Sequence, residues 1–224
     1  MIIYSVLIVA ILTIWGNISC LAQKQNPSEF VPNGYVIAEK IYGDLNKDSL
    51  NDCVLLIKGT DKKNIINVEN KGELDRNRRG IIILFNNNDD YELAIKNYNC
   101  FSSENEDGGV YFAPELSISI EKGNLFVHYS HGRYGYWMYN FRFKNSDFEL
   151  IGFDSGYKSN FVSDWVTFDE VSINFLSKKK LVKEVIKLNE NGNETFKETW
   201  GKINVNSLLK LSKIKDFDEL DLPQ

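Results

Sequence analysis

Short runs of apolar residues, some alternating with polar ones and some unbroken, recur along nearly the whole chain between turns made of Asn, Asp, Gly and Lys. A period of two suits a pleated strand with one buried face, and Val, Ile, Tyr and Phe fit that surface better than a helix. Strands are therefore expected at 35–42, 53–58, 80–86, 91–98, 116–121, 125–130, 136–144, 148–154, 170–174, 180–189 and 193–202. Hairpin turns are expected at NNNDD (86–90), KGN (122–124), KNSD (144–147) and NENGN (189–193). The one expected helix covers 205–211, with Asn206 or Ser207 as its cap. LFNNNDDYELAI (84–95) echoes RFKNSDFELIG (142–152), each a hairpin with an inward aromatic. The echo predicts an all-β, propeller-like succession of antiparallel hairpins in one domain, although a β-sandwich produces similar hairpin chemistry.

Residues 1–22, MIIYSVLIVAILTIWGNISCLA, carry no charge. The apolar stretch from Ile2 to Trp15 has the length of a secretory leader core and is short for a membrane span. Cys20-Leu21-Ala22 offers a small-x-small cleavage site before Gln23, although the leader lacks the usual basic residue near Met1. Cys20 opens an alternative, a lipid anchor at the outer membrane, but Asn17 stands where such a signal carries Leu. The expected mature chain is 23–224, a periplasmic or secreted protein without a transmembrane span. It keeps the whole net charge of −5, which argues against a nucleic-acid partner, since that would call for a basic face. Cys53 and Cys100 survive cleavage, either as a disulfide or as two buried thiols.

The segment 58–80 is polar and mixed in charge and reads as a surface excursion. Its Arg76, Arg78 and Arg79 either grip an anionic partner or pair with neighbouring acids. A different kind of signal lies in GDLNKDSLND (43–52), where like charges crowd a short turn. Asp44, Asn46, Asp48 and Asp52 take positions 1, 3, 5 and 9 of a calcium loop, and Leu50 at position 7 would offer its carbonyl. Hard oxygen donors at this spacing wrap a cation the size of Ca²⁺; a metal-free Asx turn is the alternative. Leu55 stands at position 12 in place of the EF-hand Glu, and a strand follows in place of a helix. The loop resembles the strand–loop–strand calcium loop of FG-GAP and VCBS-type repeats. Ser49 replaces the usual Gly at a position that calls for a positive φ, which predicts a strained, weaker site.

HYSHGRYGYWMY (128–139) gathers both histidines, an arginine and several aromatics around two glycines. Such a hairpin tip suits a protein-binding hot spot or a sugar-stacking platform, while Tyr136, Met138 and the residues alternating with them are also candidates for sheet packing. His128 and His131, three apart, would point to opposite faces of a strand. SSENEDGGVY (102–111) adds Glu104, Glu106 and Asp107 before a Gly pair, without calcium-loop spacing. No Gly-x-Ser-x-Gly, His-Glu-x-x-His, P-loop or dinucleotide fingerprint occurs, so the chain reads as a binder and not an enzyme.

With the leader and the loop, the chain resembles exported, calcium-binding propeller-like immunity proteins and periplasmic inhibitors of lysozyme. That resemblance implies a lysozyme-like hydrolase as partner. Those inhibitors use a Ser-Gly-x-Tyr loop; here the nearest string is His131-Gly132-Arg133-Tyr134, with His in place of Ser. The expected partner surface is His131, Gly132, Arg133, Tyr134, Tyr136 and Trp137. A carbohydrate-binding or carbohydrate-active envelope protein is the alternative reading.

Overall fold

A computed structural model describes residues 26–88, 90–105, 113–160 and 166–222. The expected leader 1–22 with Cys20, and the residues Glu106, Asp107, Gly108 and Gly109, lie outside the described residues. The strands are β1 (Tyr35–Gly43), β2 (Asp52–Gly59), β3 (Ile65–Val68), β4 (Gly72–Asp75), β5 (Arg79–Asn87), β6 (Asp90–Phe101), β7 (Glu115–Glu121), β8 (Asn124–Ser130), β9 (Gly135–Lys144), β10 (Asp147–Lys158), β11 (Phe168–Asn174), β12 (Lys179–Leu188) and β13 (Glu194–Lys202). Every expected strand is present, and the surface excursion adds the β3–β4 ribbon.

All ladders are antiparallel. One sheet has the order β1-β2-β5-β6, and a second, seven-stranded sheet runs from β7 to β13 with each strand beside its neighbour in sequence. Among the described residues these are two open sheets, with neither a closed barrel nor a ring of propeller blades. The tight turns give the reason. Lys122-Gly123 and Asn145-Ser146 each place two residues at positive φ, as a two-residue hairpin turn requires. Each turn keeps the next strand hydrogen-bonded to the last, so the sheet widens and no new blade starts.

The two sheets share one core. Val54, Leu56, Ile81 and Ile83 from the first meet Leu125, Val127, Phe141 and Phe148 from the second. The echoed hairpins come together here: Phe85 and Phe143, at matching places in the two segments, pack edge to face at 4.7 Å. β8 alternates between buried and half-buried residues, as a sheet with one covered face should. The runs CVLLI of β2 and IIIL of β5 do not alternate because both faces of that sheet are covered. Cys53, Leu55, Ile57, Ile82 and Leu84 form a second buried cluster, with Phe30 and Val31 packed against it.

The cysteines are consequently on different sides. Cys53 belongs to the second cluster and Cys100 to the shared core, and both are free thiols. Burial pushes both thiols up from their ordinary acidity.

The helix expected over 205–211 does not form. The segment 203–222 is an extended strap with a single short 3₁₀ turn at Leu211–Lys213. Its backbone is spent on tertiary contacts. Leu150 N–H donates to the Leu209 carbonyl at 2.8 Å, and the Asn97 amide donates to the carbonyls of Leu211 and Ile214 at 2.9 and 2.7 Å. Phe217 N–H donates to the Cys100 carbonyl at 3.0 Å. The strap thus ties β6 to β10 across the core, and packing overrides a weak local helix preference.

Candidate functional site

Two regions can carry function, and they are built differently. The first is the acidic loop between β1 and β2. Asp44 accepts hydrogen bonds from the backbone N–H groups of Lys47, Asp48 and Ser49. The Asn46 side chain accepts from Asp48 N–H at 3.0 Å and donates to the Asp48 carboxylate at 2.8 Å. Asp48 also accepts from Leu50 N–H at 2.8 Å. Lys47 and Ser49 lie at φ 68° and 73°, so the left-handed turn expected at Ser49 is present without a glycine. Asp44 is half-buried and Asp48 exposed.

Asp52 has a different setting. It is fully buried, and its oxygens accept from the N–H groups of Leu45 at 2.7 Å, Asn46 at 3.3 Å and Asn86 at 3.0 Å. It therefore fastens the loop to the end of β5. Burial raises its carboxyl above the ordinary value, against the lowering effect of these three amides. Among the described residues no three His, Cys, Asp or Glu side chains gather into a metal-holding group. The structure thus keeps Asp44, Asn46 and Asp48 together on one turn, with Asp52 tied to the same turn from its buried side.

The second region is a cleft of about 640 Å³ between the seven-stranded sheet and the C-terminal strap. Tyr129, Trp137, Tyr139, Phe153 and Tyr157 line it from β8, β9 and β10, and Phe217, Asp218 and Asp221 line it from the strap. Tyr129 and Trp137 stack at 5.2 Å with 17° between their planes. Tyr139 packs on Phe153 at 5.2 Å and edge to face on Phe217 at 5.0 Å. Alternation puts these aromatics on one face of the sheet, and Phe217, itself stacked on Phe101 at 4.9 Å, closes the cleft's inner end.

Tyr129 is 2% exposed, and among the described residues its buried hydroxyl has no hydrogen-bond partner. Burial, with the Asp218 charge second, holds that phenol well above its ordinary pKa. Burial raises Tyr139 in the same way. Asp218 and Asp221 stand exposed at the rim, and among the described residues no Lys, Arg or His lines the cleft.

The structure divides the expected partner loop. Gly132–Tyr134 form a short 3₁₀ turn at the tip of the β8–β9 hairpin. Arg133 lies over the Tyr134 ring at 5.1 Å and donates to its hydroxyl at 2.8 Å, while the His131 ring packs against the other end of the tip, 5.2 Å from Tyr134. Gly135, at φ 135°, begins β9, and a side chain there would run into the Gly156 carbonyl. Tyr136 points to the opposite face of the sheet from Trp137, near His128 at 6.1 Å and Phe168 at 6.3 Å. His128 and His131 are thus not brought together. Of the expected binding residues, only Trp137 reaches the cleft.

Two arginines of 75–80, Arg78 and Arg79, serve the fold. Arg78 pairs with Asp216 of the strap at 2.7 Å. Arg79 is buried, donates to the Ser102 carbonyl at 2.9 Å and lies 3.8 Å from Glu104. Glu104 also meets Lys58 at 3.4 Å, which assigns the described carboxylate of the second acidic stretch to ion pairing. Tyr129 and Tyr139 fall within the aromatic-rich stretch 128–139, but not among its expected binding residues, and Tyr157, Asp218 and Asp221 were not legible as a site. Tyr157 is an ordinary strand residue, and the aspartates lie far along the chain with no motif around them.

No protein-family model matches this chain, and no curated protein or solved structure was found to match it. The resemblance to FG-GAP-type loops accordingly rests on residues 44–52 alone. Among the described residues no helix is long and apolar enough to cross a membrane.

Proposed function

We propose that this protein is an exported, non-enzymatic binding module, braced by Ca²⁺ at loop 44–52, that takes its ligand in the aromatic cleft. The observation that carries the reading is the cleft itself: a cavity of about 640 Å³, within the range of small-ligand sites, floored by stacked aromatics and containing a buried hydroxyl with no partner among the described residues. A buried hydroxyl without a hydrogen bond costs about 1–3 kcal/mol. That cost is recovered when a ligand supplies the missing partner. Export is read from the uncharged leader, and the lack of a catalytic motif tilts the reading from enzyme to binder.

The metal's role is structural. Asp44, Asn46, Asp48, the Leu50 carbonyl and Asp52 would hold it, and it would neutralise carboxylates that otherwise repel one another. The experiment is capture from the native envelope by the mature protein, with and without chelator, beside the Trp137→Ala variant. A ligand retained by the wild type and lost by the variant, at unchanged circular dichroism, supports the cleft. Equal retention by both proteins rejects it.

A second reading, favoured by the exposed Arg133 at the hairpin tip, is inhibition of a lysozyme-like hydrolase through His131, Gly132, Arg133 and Tyr134. Arg133 would pair with a carboxylate of the enzyme. Cell-wall clearing by candidate muramidases, unchanged at high excess of the protein, counts against it.

A further inference from the structure

The geometry points to a cationic ligand for the aromatic cleft, an ammonium or guanidinium group on a small molecule or a side chain; the inference rests on the reading of the cleft as the ligand site. Three observations converge on that charge. Among the described residues the lining includes two carboxylates, Asp218 and Asp221, and no basic side chain. Arg79, the cation in the field of the Tyr129 phenol, is buried, donates to the carbonyl of the lining residue Ser102 and lies 3.8 Å from Glu104, so its charge is partly answered. The walls are aromatic, and Tyr129 and Trp137 present a stacked pair. A cation over aromatic faces gains about 0.5–2 kcal/mol, more when it is desolvated, and Trp and Tyr are the strongest such faces.

The third observation is the Tyr129 hydroxyl, buried and without a partner among the described residues. Its oxygen can accept from an N–H of the ligand. Its own proton is held on the ring oxygen by burial and by the Asp218 charge, so the group stays neutral. The division of labour follows: the rim aspartates draw the cation in, the aromatic rings take its apolar flanks, and Tyr129 takes one N–H at the bottom. A neutral sugar would also stack on Trp137, but it would leave the negative rim without a counter-charge.

The test uses the mature chain and follows the Trp137 indole N–H resonance, assigned by its loss in Trp137→Phe. The probes are arginine methyl ester and choline, with a neutral N-acetylglucosamine oligomer as the uncharged comparison. Expected is a saturable shift with both cations, weakened about tenfold or more in the Asp218→Asn, Asp221→Asn double variant and weakened by salt. Tyr129→Phe removes only the unpartnered hydroxyl. It is expected to keep or raise thermal stability while lowering affinity for arginine methyl ester several-fold. If the oligomer shifts Trp137 as strongly as the cations and the double variant binds unchanged, the cationic class is overturned and the cleft remains a ligand site. If no probe moves Trp137, the cationic class falls, and the envelope capture with Trp137→Ala decides the cleft separately.

Discussion

The acidic loop and the aromatic cleft satisfy their polar groups in opposite ways. In the loop, carboxylates and amides separated by a few residues bond to one another and to the loop's own backbone, and Asp52 adds one long-range tie to Asn86. In the cleft, walls come from β8, β9, β10 and a strap some sixty residues further along the chain, and a hydroxyl at the bottom is left without a partner among the described residues. A locally closed network is satisfied largely by near neighbours in the chain. A cleft assembled at long range depends on the core behind it and keeps an unmet bonding capacity for whatever enters.

The largest expected effect tests that dependence. Phe217→Ala empties a fully packed position between the strap and both sheets and should cost about 3–5 kcal/mol. Denaturant unfolding checks the stability, and the cationic probes should no longer shift Trp137. Retained cleft binding would show that the strap is not the wall it is taken for. Asp52→Ala comes next. It strips one buried and two part-buried N–H groups of their acceptor and should cost about 2–3 kcal/mol, since an orphaned buried group costs about 1–3 kcal/mol and water reaches the other two. The cleft should still bind at temperatures where the variant is folded. Loss of binding there would erase the distinction between the two regions.

Calcium provides the third test. At a hundredfold excess over its dissociation constant the ion should stabilise the wild type by about 2.7 kcal/mol, read as a rise in melting temperature. Asp48→Ala, at an exposed position, should abolish the rise while leaving the calcium-free protein nearly as stable. A wild type indifferent to calcium would reduce the loop to an Asx turn. Ser49→Gly is expected to stabilise by about 0.5–1 kcal/mol, because a left-handed residue with a Cβ carries a penalty of about 1–2 kcal/mol and Gly loses some of that gain to its freer unfolded state. The same change should tighten calcium.

The smallest effect concerns pH. Without metal, burial holds the Asp52 carboxyl above its ordinary 3.8. The native state therefore binds that proton before the unfolded chain does. Asp52 contributes stability that grows as pH falls through its folded pKa towards 3.8 and is lost as pH rises again. Asp75 has the opposite sign. Its hydrogen bond from Lys58, 2.9 Å away, lowers its pKa, so its contribution is present above 3.8 and lost below it. Denaturant midpoints taken in chelator should show a gentler acid loss for the wild type than for Asp52→Asn. With calcium bound, the ion's charge favours the ionised form and the difference should shrink.

Strand positions were legible because their cause is local. Alternation in β8, turn residues such as Lys122-Gly123, and the unbroken apolar runs of β2 and β5 each announce an extended segment. The turn at 44–52 was legible for the same reason: its polar residues are close in sequence, and the positive φ at Ser49 follows from the loop it resembles, which carries Gly there. The β3–β4 ribbon was missed because its burial is too shallow to leave an apolar signature.

The sequence by itself determined the strands, their hairpins and the oxygen-rich turn, since all depend on interactions between near neighbours. The tertiary structure decided that the hairpins collect into two open sheets, that Cys53 and Cys100 occupy different buried clusters, and that 205–211 is strap and not helix. Alternation alone sends Trp137 and Tyr136 to opposite faces, and the tertiary structure decided which face carries the cleft, so that Trp137 reaches it and Tyr136 does not. The physical reason is reach: Tyr129 and Phe217 line one cavity only because burying both sheets against the strap brings remote apolar surfaces together, and that burial leaves no local pattern in the chain.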